Sequence, residues 1–209
     1  MRRTGLSWRD RVIKRAIDIA VAAAGLVATA PLNLAIIAIA TLDTRQWGVF
    51  SQVRVGRDGE LFRVHKVRTM RAVTGQTTTI TAANDVRITR FGRLLRRTKL
   101  DELPQLYDVL VGNMSLVGPR PDVPGYADQL TGDDRRMLTV RPGITGPAAL
   151  AYRNEENLLA DADDPETYND EIIWPAKVRI NCDYVENYSL RVDYQVLRDT
   201  LASTLWSTK

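Results

Sequence analysis

Two adjacent carboxylates are the leading candidates for chemistry in this sequence. Asp101 and Glu102 lie in the segment KLDELPQLYDVLVGNMSLVGPRP, residues 99–121, shortly before a proline. Neighbouring carboxylates repel each other, so an ionised pair needs compensating positive charge or a metal ion. An ionised aspartate in such a setting can bind Mg²⁺, accept a proton or attack an electrophile such as a phosphoryl group. A helix cap is the purely structural alternative, because acidic residues are favoured at helix N-termini.

Two arginine-containing turns are candidate phosphate ligands. Pro119, Arg120 and Pro121 follow a glycine and predict a rigid, extended turn that presents one guanidinium. A guanidinium is suited to bidentate phosphate binding. Arg141 begins the segment RPGITG, residues 141–146, which repeats the arrangement of an arginine before proline and glycine. Each motif is weak when it is taken alone.

A hairpin and a basic helix are expected to position further cations. Residues 49–70 alternate around a Gly-Arg-Asp-Gly turn, which predicts a short β-hairpin. Lys66 and Arg68, two residues apart at the end of the second strand, are expected on the same face of it. There they could bind phosphate or be ordinary surface residues. Residues 90–97 carry arginines at helical spacing, and of these Arg96 and Arg97 are nearest to the carboxylates. A solvated face, or one that rests on acidic lipid, is the alternative for this helix.

The boundaries of the following helix place the carboxylates at its N-terminus. Residues before a proline avoid the helical region, which predicts a boundary at Leu103 and a helix with Pro104 in its first turn. Gly112 is expected to end that helix. Free amides and the helix dipole stabilise negative charge at such a position. We therefore expect both carboxylates to be held ionised beside Arg96, Arg97 and Arg120.

Composition restricts the remaining chemistry. With 209 residues the chain can bury one ordinary core, so we expect a single main domain. Cys182 is the only cysteine, which excludes an internal disulfide framework, and His65 is the only histidine. A histidine-rich zinc site is therefore excluded, and any metal is expected to be held by oxygen atoms, as Mg²⁺ or Mn²⁺ would be. The formal net charge of +4 favours phosphorylated or polyanionic partners.

An apolar segment near the N-terminus, residues 19–42, allows three interpretations. A cleavable signal peptide is one, since basic residues precede the segment and Ala28-Thr29-Ala30 resembles a cleavage site. A single membrane span is another, because about 20 apolar residues cross a bilayer core. Basic residues on both flanks favour the third, a helix that enters the membrane, breaks at Pro31 and returns to the same side. Lys14 and Arg15 are then expected to pair with Asp18 at the interface.

Taken together, the motifs resemble the bacterial sugar transferase family, the small monotopic phosphoglycosyl transferases. The similarity covers nearly the whole chain, and its most specific blocks are Leu-Asp-Glu-Leu-Pro-Gln-Leu, residues 100–106, and Val-Gly-Pro-Arg-Pro, residues 117–121. Other matching segments are Lys14-Arg15-x-x-Asp18, Gln52-x-Arg54-x-Gly56, Lys66-x-Arg68-Thr69-Met70, Arg87-Ile88-Thr89-Arg90-x-Gly92 and Arg141 to Gly146. The resemblance implies an α/β fold that is mostly helical with a short hairpin. It also implies a re-entrant membrane helix within residues 1–46 and a cytoplasmic catalytic domain over residues 47–209.

The same resemblance implies a reaction. Members transfer a phosphosugar from a UDP-sugar to polyprenol (undecaprenyl) phosphate, release UMP and need Mg²⁺. By this analogy Asp101 is the nucleophile, forms a covalent phosphosugar intermediate and lies next to the metal, while Glu102 assists as a base or a metal neighbour. Lys66, Arg96, Arg120 and Arg153 are then phosphate-binding candidates, and the turn at residues 119–121 shapes the nucleotide site. The expected location is the cytoplasmic face of the bacterial inner membrane, with no nucleic acid partner and with homo-oligomer formation left open.

The stretch after Gly146 departs from the family pattern. Many members read Trp-Ala-Gln-Val-x-Gly-Arg-Asn there, whereas this chain reads GPAALAYRNEENLL and continues into an acidic segment whose residues 160–170 predict a loop. The difference bears on sugar recognition. Two rival functions remain: an Mg²⁺-dependent nucleotide-sugar pyrophosphatase or phosphodiesterase at the membrane, and a non-catalytic basic module that binds the membrane surface. The second leaves Asp101 and Glu102 unexplained.

Overall fold

The structure is a computed structural model that describes residues 6–72 and 85–206. The chain is mostly helical, as the sequence predicted, with a small β-hairpin and one long apolar helix near the N-terminus. The helices are α1 (Trp8–Thr44), α2 (Arg90–Thr98), α3 (Gln105–Val111), α4 (Pro147–Ala151), α5 (Glu155–Ala160), α6 (Pro165–Tyr168), α7 (Trp174–Glu186) and α8 (Leu190–Trp206). The strands are β1 (Val49–Val55), β2 (Leu61–Val67), β3 (Ser115–Val117) and β4 (Gly143–Thr145).

The hairpin and the two helices that follow it confirm the sequence prediction. β1 and β2 pair antiparallel, with Phe50 opposite Lys66. α2 begins after Thr89, whose hydroxyl accepts a hydrogen bond from the Gly92 amide, and α3 ends at Gly112, which has a φ of 99°. A positive φ is a conformation that glycine adopts without steric cost, so the chain can turn sharply there.

A second, parallel pair of strands carries the Gly-Pro-Arg-Pro turn. Ser115 of β3 lies opposite Gly143 of β4, and the Gly118 amide donates to the Thr145 carbonyl at 2.9 Å. A Cβ atom at Gly143 or at Gly146 would collide with the backbone of Gly118. The glycines therefore let two backbones come into direct contact, which fixes the turn after β3.

α1 runs through Pro31 without interruption, so the predicted break in the helix is not observed. Proline lacks an amide hydrogen and removes one backbone hydrogen bond from the helix. Side chains bridge this turn: Thr29 Oγ1 donates to the Gly25 carbonyl at 2.7 Å, and Asn33 Nδ2 donates to Thr29 Oγ1 at 3.0 Å. Because Pro31 itself is exposed, its ring does not have to fit against a neighbouring element.

Polar contacts connect the N-terminal half of α1 to the rest of the chain. They differ from the pairing of Asp18 with Lys14 and Arg15 that the sequence predicted. Asp18 accepts a hydrogen bond from the Leu116 amide at 3.0 Å and does not pair with Lys14 or Arg15. Arg15 donates to the carbonyls of Val109 and Leu110 at 2.6 and 2.9 Å. The last carbonyls of a helix lack partners within the helix, and Arg15 satisfies two of them in α3.

Lys14 forms a buried ion pair with a distant part of the chain. Its ammonium lies 2.6 Å from Oδ2 of Asp193 in α8, and about one tenth of either side chain is exposed. The hydroxyls of Tyr184 and Tyr188 also donate to Asp193, at 2.7 and 3.2 Å. The carboxylate is thus satisfied by three donors, and the first helix is joined to the last.

We expect Asp193→Asn to destabilise the fold by about 3–5 kcal/mol, because it leaves the Lys14 ammonium buried without a counter-charge. Denaturant unfolding in mild detergent measures the change. Asp199→Asn is the matched control, since Asp199 lies on the same helix but is half exposed and pairs with its neighbour Arg198. A shift no larger than that of the control would contradict a role of this ion pair in stability.

The apolar core lies where α1, α3, β3, α7 and α8 meet. Its buried members include Ala22, Val109, Val117 and Val185. A second cluster, formed by Ile36, Ala40, Val67 and Leu95, packs the C-terminal half of α1 against β2 and α2. Both halves of α1 therefore contact the same folded unit.

The acidic segment predicted as a loop is partly helical. Residues 165–168 form α6, and a π-helical turn continues to Ile173. The Asp164 side chain accepts hydrogen bonds from the amides of Glu166 and Thr167, and Pro165 occupies the first helical position. Proline at that position and aspartate before it are both favourable at a helix start, a signal that the acidic composition obscured. Most of the other predicted loop, residues 75–85, lies outside the described residues.

Candidate active site

The two carboxylates lie in a short 3₁₀ turn, Leu100–Glu102, between α2 and α3. The turn follows Lys99, which adopts a left-handed conformation with a φ of 57° and ends α2. Asp101 and Glu102 are 6% and 8% exposed. Burial of two adjacent acids is costly unless donors or cations compensate for their charge, and the surrounding residues decide which of the two is compensated.

Glu102 forms ion pairs with two cationic side chains. Its Oε1 lies 3.1 Å from Lys66 Nζ and 2.5 Å from Arg120 Nη2. Burial alone would raise the pKa of Glu102, but Arg120 and Lys66 together hold that pKa well below its usual range. Glu102 is therefore a firmly ionised group that orients two cations, and a carboxylate with so low a pKa is a weak general base at neutral pH.

Asp101 differs from its neighbour. Burial and the adjacent Glu102 raise the pKa of Asp101, and Lys66, Lys99 and Arg96 only partly oppose this effect. Its Oδ1 atom is buried and has no hydrogen-bond donor within residues 6–72 and 85–206. The expectation that both carboxylates are held ionised beside the same cations stays a prediction for Asp101, since the ion pairs with Lys66 and Arg120 among the described residues are made by Glu102.

The structure brings the predicted turn of residues 119–121 to the carboxylates. Arg120 reaches Glu102, while the Pro119 carbonyl accepts from the Gly143 amide at 2.8 Å and the Pro121 carbonyl from Arg54 at 3.2 Å. Hydrogen bonds on both sides of Arg120 fix its backbone. These contacts constrain the turn on either side of Arg120.

Arg96 lies at the edge of the cluster. Its Nε donates to Thr69 Oγ1 at 3.2 Å, and its charge lowers the pKa of Asp101. Arg97 is exposed on α2 and Arg153 is exposed between α4 and α5. Arg153 stands two residues before Glu155, whose charge acts on Arg120.

Two predicted phosphate ligands serve other purposes. Arg68 turns away from Lys66: its Nε donates to the Trp47 carbonyl at 2.8 Å, and its guanidinium lies 5.3 Å from the centre of the Phe50 ring. β2 ends at Val67, so the alternation of side chains on which this prediction relied no longer applies at Arg68. Arg141 Nε donates to the Gly112 carbonyl at 2.7 Å and secures the end of α3.

Several charged groups beside Arg120 were not predicted as site residues. Asp122 lies between the charges of Lys177, Arg54 and Arg120, and burial raises the pKa of its carboxyl to about 6. Lys177 of α7 holds Glu155 through both carboxylate oxygens at 2.6 Å. Arg54 stands in a motif that the sequence shares with the family, which is a usable signal. Asp122, Lys177 and Glu155 have no such signal, since only the fold brings them together.

A metal ion would depend on substrate for part of its ligand shell. Among the residues that the structure describes, no group of three or more His, Cys, Asp or Glu side chains is arranged to hold a metal ion. Mg²⁺ often takes one or two protein carboxylates and completes its shell with water and substrate phosphates. The Oδ1 of Asp101, which has no donor among the described residues, suits such a role, whereas Glu102 is already bound by Lys66 and Arg120. The site thus fits Mg²⁺ that arrives with a phosphate-bearing ligand.

The comparison with protein families gives one match over almost the entire chain. The family described as bacterial sugar transferase matches residues 9–207. These residues include the 3₁₀ turn with both carboxylates, the turn after β3 and nearly all of α1. The match therefore covers the whole arrangement described above.

Curated relatives agree with this match. An exopolysaccharide production protein PSS of Rhizobium leguminosarum bv. phaseoli is 36% identical over 208 residues, which cover 94% of this chain and 96% of the relative. A UDP-N-acetylgalactosamine-undecaprenyl-phosphate N-acetylgalactosaminephosphotransferase of Aeromonas hydrophila is 34% identical over 92% of this chain and 44% of its own length. A UDP-glucose:undecaprenyl-phosphate glucose-1-phosphate transferase of Escherichia coli (strain K12) is 32% identical over 93% of this chain and 40% of its own. The chain thus spans nearly all of the first relative and less than half of the other two.

Proposed function

The chain belongs to the bacterial sugar transferase family, and we propose that it transfers a phosphosugar from a UDP-sugar to polyprenol (undecaprenyl) phosphate and releases UMP. Two of the relatives above carry names that specify UDP-sugar donors and undecaprenyl phosphate. One observation of the site carries the proposal: Asp101 has a buried carboxylate oxygen with no donor among the described residues, beside a neighbour that holds two cations. The product would serve the assembly of a bacterial surface polysaccharide.

In the first step Asp101 acts as the nucleophile. A carboxylate oxygen of Asp101 attacks the β-phosphorus of the UDP-sugar and forms an oxygen–phosphorus bond. The bond between that phosphorus and the bridging oxygen breaks, and UMP leaves with the oxygen. Since the Oδ1 atom of Asp101 accepts no hydrogen bond from the described residues, its electron pair is available for attack.

In the second step the acceptor regenerates the enzyme. A phosphate oxygen of the polyprenol phosphate attacks the phosphorus of the aspartyl phosphosugar. The bond to Asp101 breaks, which restores the free carboxylate and leaves the sugar on a polyprenyl diphosphate. Both steps place an aspartyl oxygen and a phosphate oxygen on one phosphorus, so one set of cations can serve both.

Glu102 is the residue that prepares this set of cations. It holds Lys66 and Arg120 beside Asp101, where their remaining N–H groups can bind phosphate oxygens as negative charge develops. Mg²⁺ bound to Asp101 and the diphosphate would neutralise part of the same charge. Arg54 and Arg96 border the cluster and add positive potential around it. The low pKa of Glu102 favours this positioning role over that of a base.

We further propose that α1 anchors the chain on the cytoplasmic side of the inner membrane without crossing it. By length and composition it is the one candidate membrane helix among residues 6–72 and 85–206. A Cβ atom at Gly25 would lie 3.0 Å from Leu106, and Ile36 packs with Leu95. Only residues 26–35 lie between these contacts, roughly 15 Å of helix at 1.5 Å per residue. A straight crossing of the hydrocarbon core needs about 30 Å, so an uninterrupted α1 that stays on one side of the membrane fits better than one that crosses it.

The test is UMP release from a panel of UDP-sugars by the full chain in mild detergent, with Mg²⁺ and undecaprenyl phosphate. We expect repeated turnover of one donor or a few donors only when lipid phosphate and Mg²⁺ are both present, and without lipid no more than one UMP per protein. Sustained release that is independent of lipid would instead identify a nucleotide-sugar hydrolase. Absence of release across the panel, with folded protein, would favour a non-catalytic module at the membrane surface.

A further inference from the structure

A group of arginines surrounds the C-terminal end of α1, outside the candidate active site. We call it the basic surface, and it consists of Arg45, Arg68, Arg71, Arg90 and Arg93. Arg68 is half-buried, and the other members are exposed. None of them contacts Asp101 or Glu102 among the contacts of the described residues, so the reaction proposed above does not use them.

The members of the basic surface are held together by the fold, although they are far apart in sequence. Arg71 donates to the Asp43 carbonyl at 3.0 Å and to Asp43 Oδ1 at 3.2 Å, which fixes it at the end of α1. The Arg71 amide also donates to the Arg87 carbonyl at 2.9 Å, three residues before Arg90. Packing of Leu95 against Ala40 then holds α2 beside α1. The arginines thus form a single surface around the end of the helix.

Exposed apolar side chains accompany these arginines. Trp47 is 69% exposed, Leu94 is 54% exposed and Leu42, near the end of α1, is 80% exposed. Phe50 lies under the Arg68 guanidinium. Tryptophan and arginine side by side, next to an apolar helix, are typical of protein segments at the boundary between lipid headgroups and acyl chains.

The charge of this region is strongly positive. The acidic side chains of residues 43–50, 68–72 and 85–98 are Asp43 and Asp85. Asp85 forms an ion pair with Arg87, with 2.5 Å between Oδ2 and Nη2, and Asp43 forms one with Arg71. Arg45, Arg90 and Arg93 therefore have no acidic partner among the ion pairs of the described residues, and their charge is directed to the surroundings.

We propose that the basic surface binds the phosphate-bearing headgroups of anionic phospholipids around the site where α1 enters the membrane. Charge complementarity selects an anionic leaflet, and the exposed Trp47, Leu42 and Leu94 select a lipid surface over a soluble polyanion. The binding orients the catalytic domain, since α2 leads directly into the 3₁₀ turn that carries Asp101. The inference rests on the proposed membrane association and is independent of the transfer chemistry.

An environment-sensitive label on α2 tests the proposal. The full chain with Cys182→Ser and Leu94→Cys carries a single thiol for an NBD fluorophore, because Cys182 is the only native cysteine. The protein is placed in nanodiscs of phosphatidylcholine that contain increasing fractions of phosphatidylglycerol. We expect NBD emission to rise and shift to the blue as the anionic fraction increases, and to reverse at high salt.

Paired charge-removing variants make the test specific. Each arginine near an anionic surface contributes about fivefold to membrane partition, so Arg90→Gln with Arg93→Gln should lower the docking equilibrium about 25-fold. Arg57→Gln with Arg135→Gln removes the same charge at the tip of the hairpin and should change it less than twofold. An equal response in pure phosphatidylcholine, or to inorganic phosphate in solution, would overturn the proposal. So would equal docking of the two double variants.

The outcome is separable from that of the proposed function. UMP release in the same nanodiscs reports the transfer reaction, and NBD emission reports contact with headgroups. Loss of UMP release with an intact emission response would remove the proposed reaction and leave the basic surface. If UMP release is intact but NBD emission does not change with the fraction of phosphatidylglycerol, the proposed reaction stands and the proposal for the basic surface is overturned.

Discussion

Asp101→Asn is expected to lower the rate of UMP release by about 10⁴-fold or more, because the amide has no anionic oxygen to attack phosphorus. The substitution keeps the size of the side chain and removes a buried charge that repels Glu102. We therefore expect the folded protein to be at least as stable as the native chain. Initial rates of UMP release and the midpoint of unfolding, measured on the same preparation, check both parts.

The control for this variant is Asp183→Asn, the same chemical change on an exposed position of α7. It should keep the native rate within about twofold, as surface substitutions usually do. The covalent step has its own readout: native protein incubated with the UDP-sugar, without acceptor, should gain the mass of one phosphosugar. Asp101→Asn should not gain it. Turnover close to native by Asp101→Asn would remove Asp101 as the nucleophile.

Arg120→Ala is expected to lower kcat/KM by about 10²–10³-fold, the usual result of removing one donor that stabilises charge in the transition state. The variant takes the closest cation from Glu102 and leaves that buried carboxylate with Lys66. Since the Arg120 side chain is 41% exposed, the loss of stability should be smaller, about 1–3 kcal/mol. Steady-state kinetics and denaturant unfolding separate the two effects.

A double-mutant comparison tests whether Arg120 acts together with Glu102. If Glu102 serves mainly to orient Arg120, adding Glu102→Gln to Arg120→Ala should cost much less than Glu102→Gln costs alone. Arg120→Lys keeps the charge but loses the forked geometry, so it should recover only part of the activity. Arg57→Ala is the matched control at an exposed arginine. Strict additivity of the two substitutions would show that Glu102 has a separate role.

Local structure was well predicted because its signals are local. Alternation around a glycine turn predicted the hairpin, and proline and glycine predicted the bounds of α3. The sequence also predicted that Arg120 lies beside the carboxylates, and Arg120 contacts Glu102 in the structure. The sequence could not predict which of the two acids forms the ion pairs with Lys66 and Arg120. That depends on the trajectory of a three-residue turn, which brings Glu102 into contact with both cations.

Long-range partners were beyond the reach of sequence patterns. Asp18 is placed one turn after Lys14, which suggested a local pair, yet each binds a group almost a hundred or more residues away. The partner of a buried charge is set by the tertiary structure, which brings residues that are distant in sequence into contact. The spacing of residues along one helix does not predict that partner. The break expected at Pro31 is not observed either: the helix continues through this exposed proline, and the Thr29 and Asn33 side chains form hydrogen bonds across the same turn.

The ion pair between Lys14 and Asp193 also has a consequence for the order of events during synthesis. The two residues are 179 positions apart, so at 5–20 residues per second the lysine leaves the ribosome roughly 10–40 s before its partner. The apolar helix that carries Lys14 is thus available to the membrane long before α8 exists. Final assembly then waits for α8, which supplies Asp193 as the counter-charge of the buried Lys14.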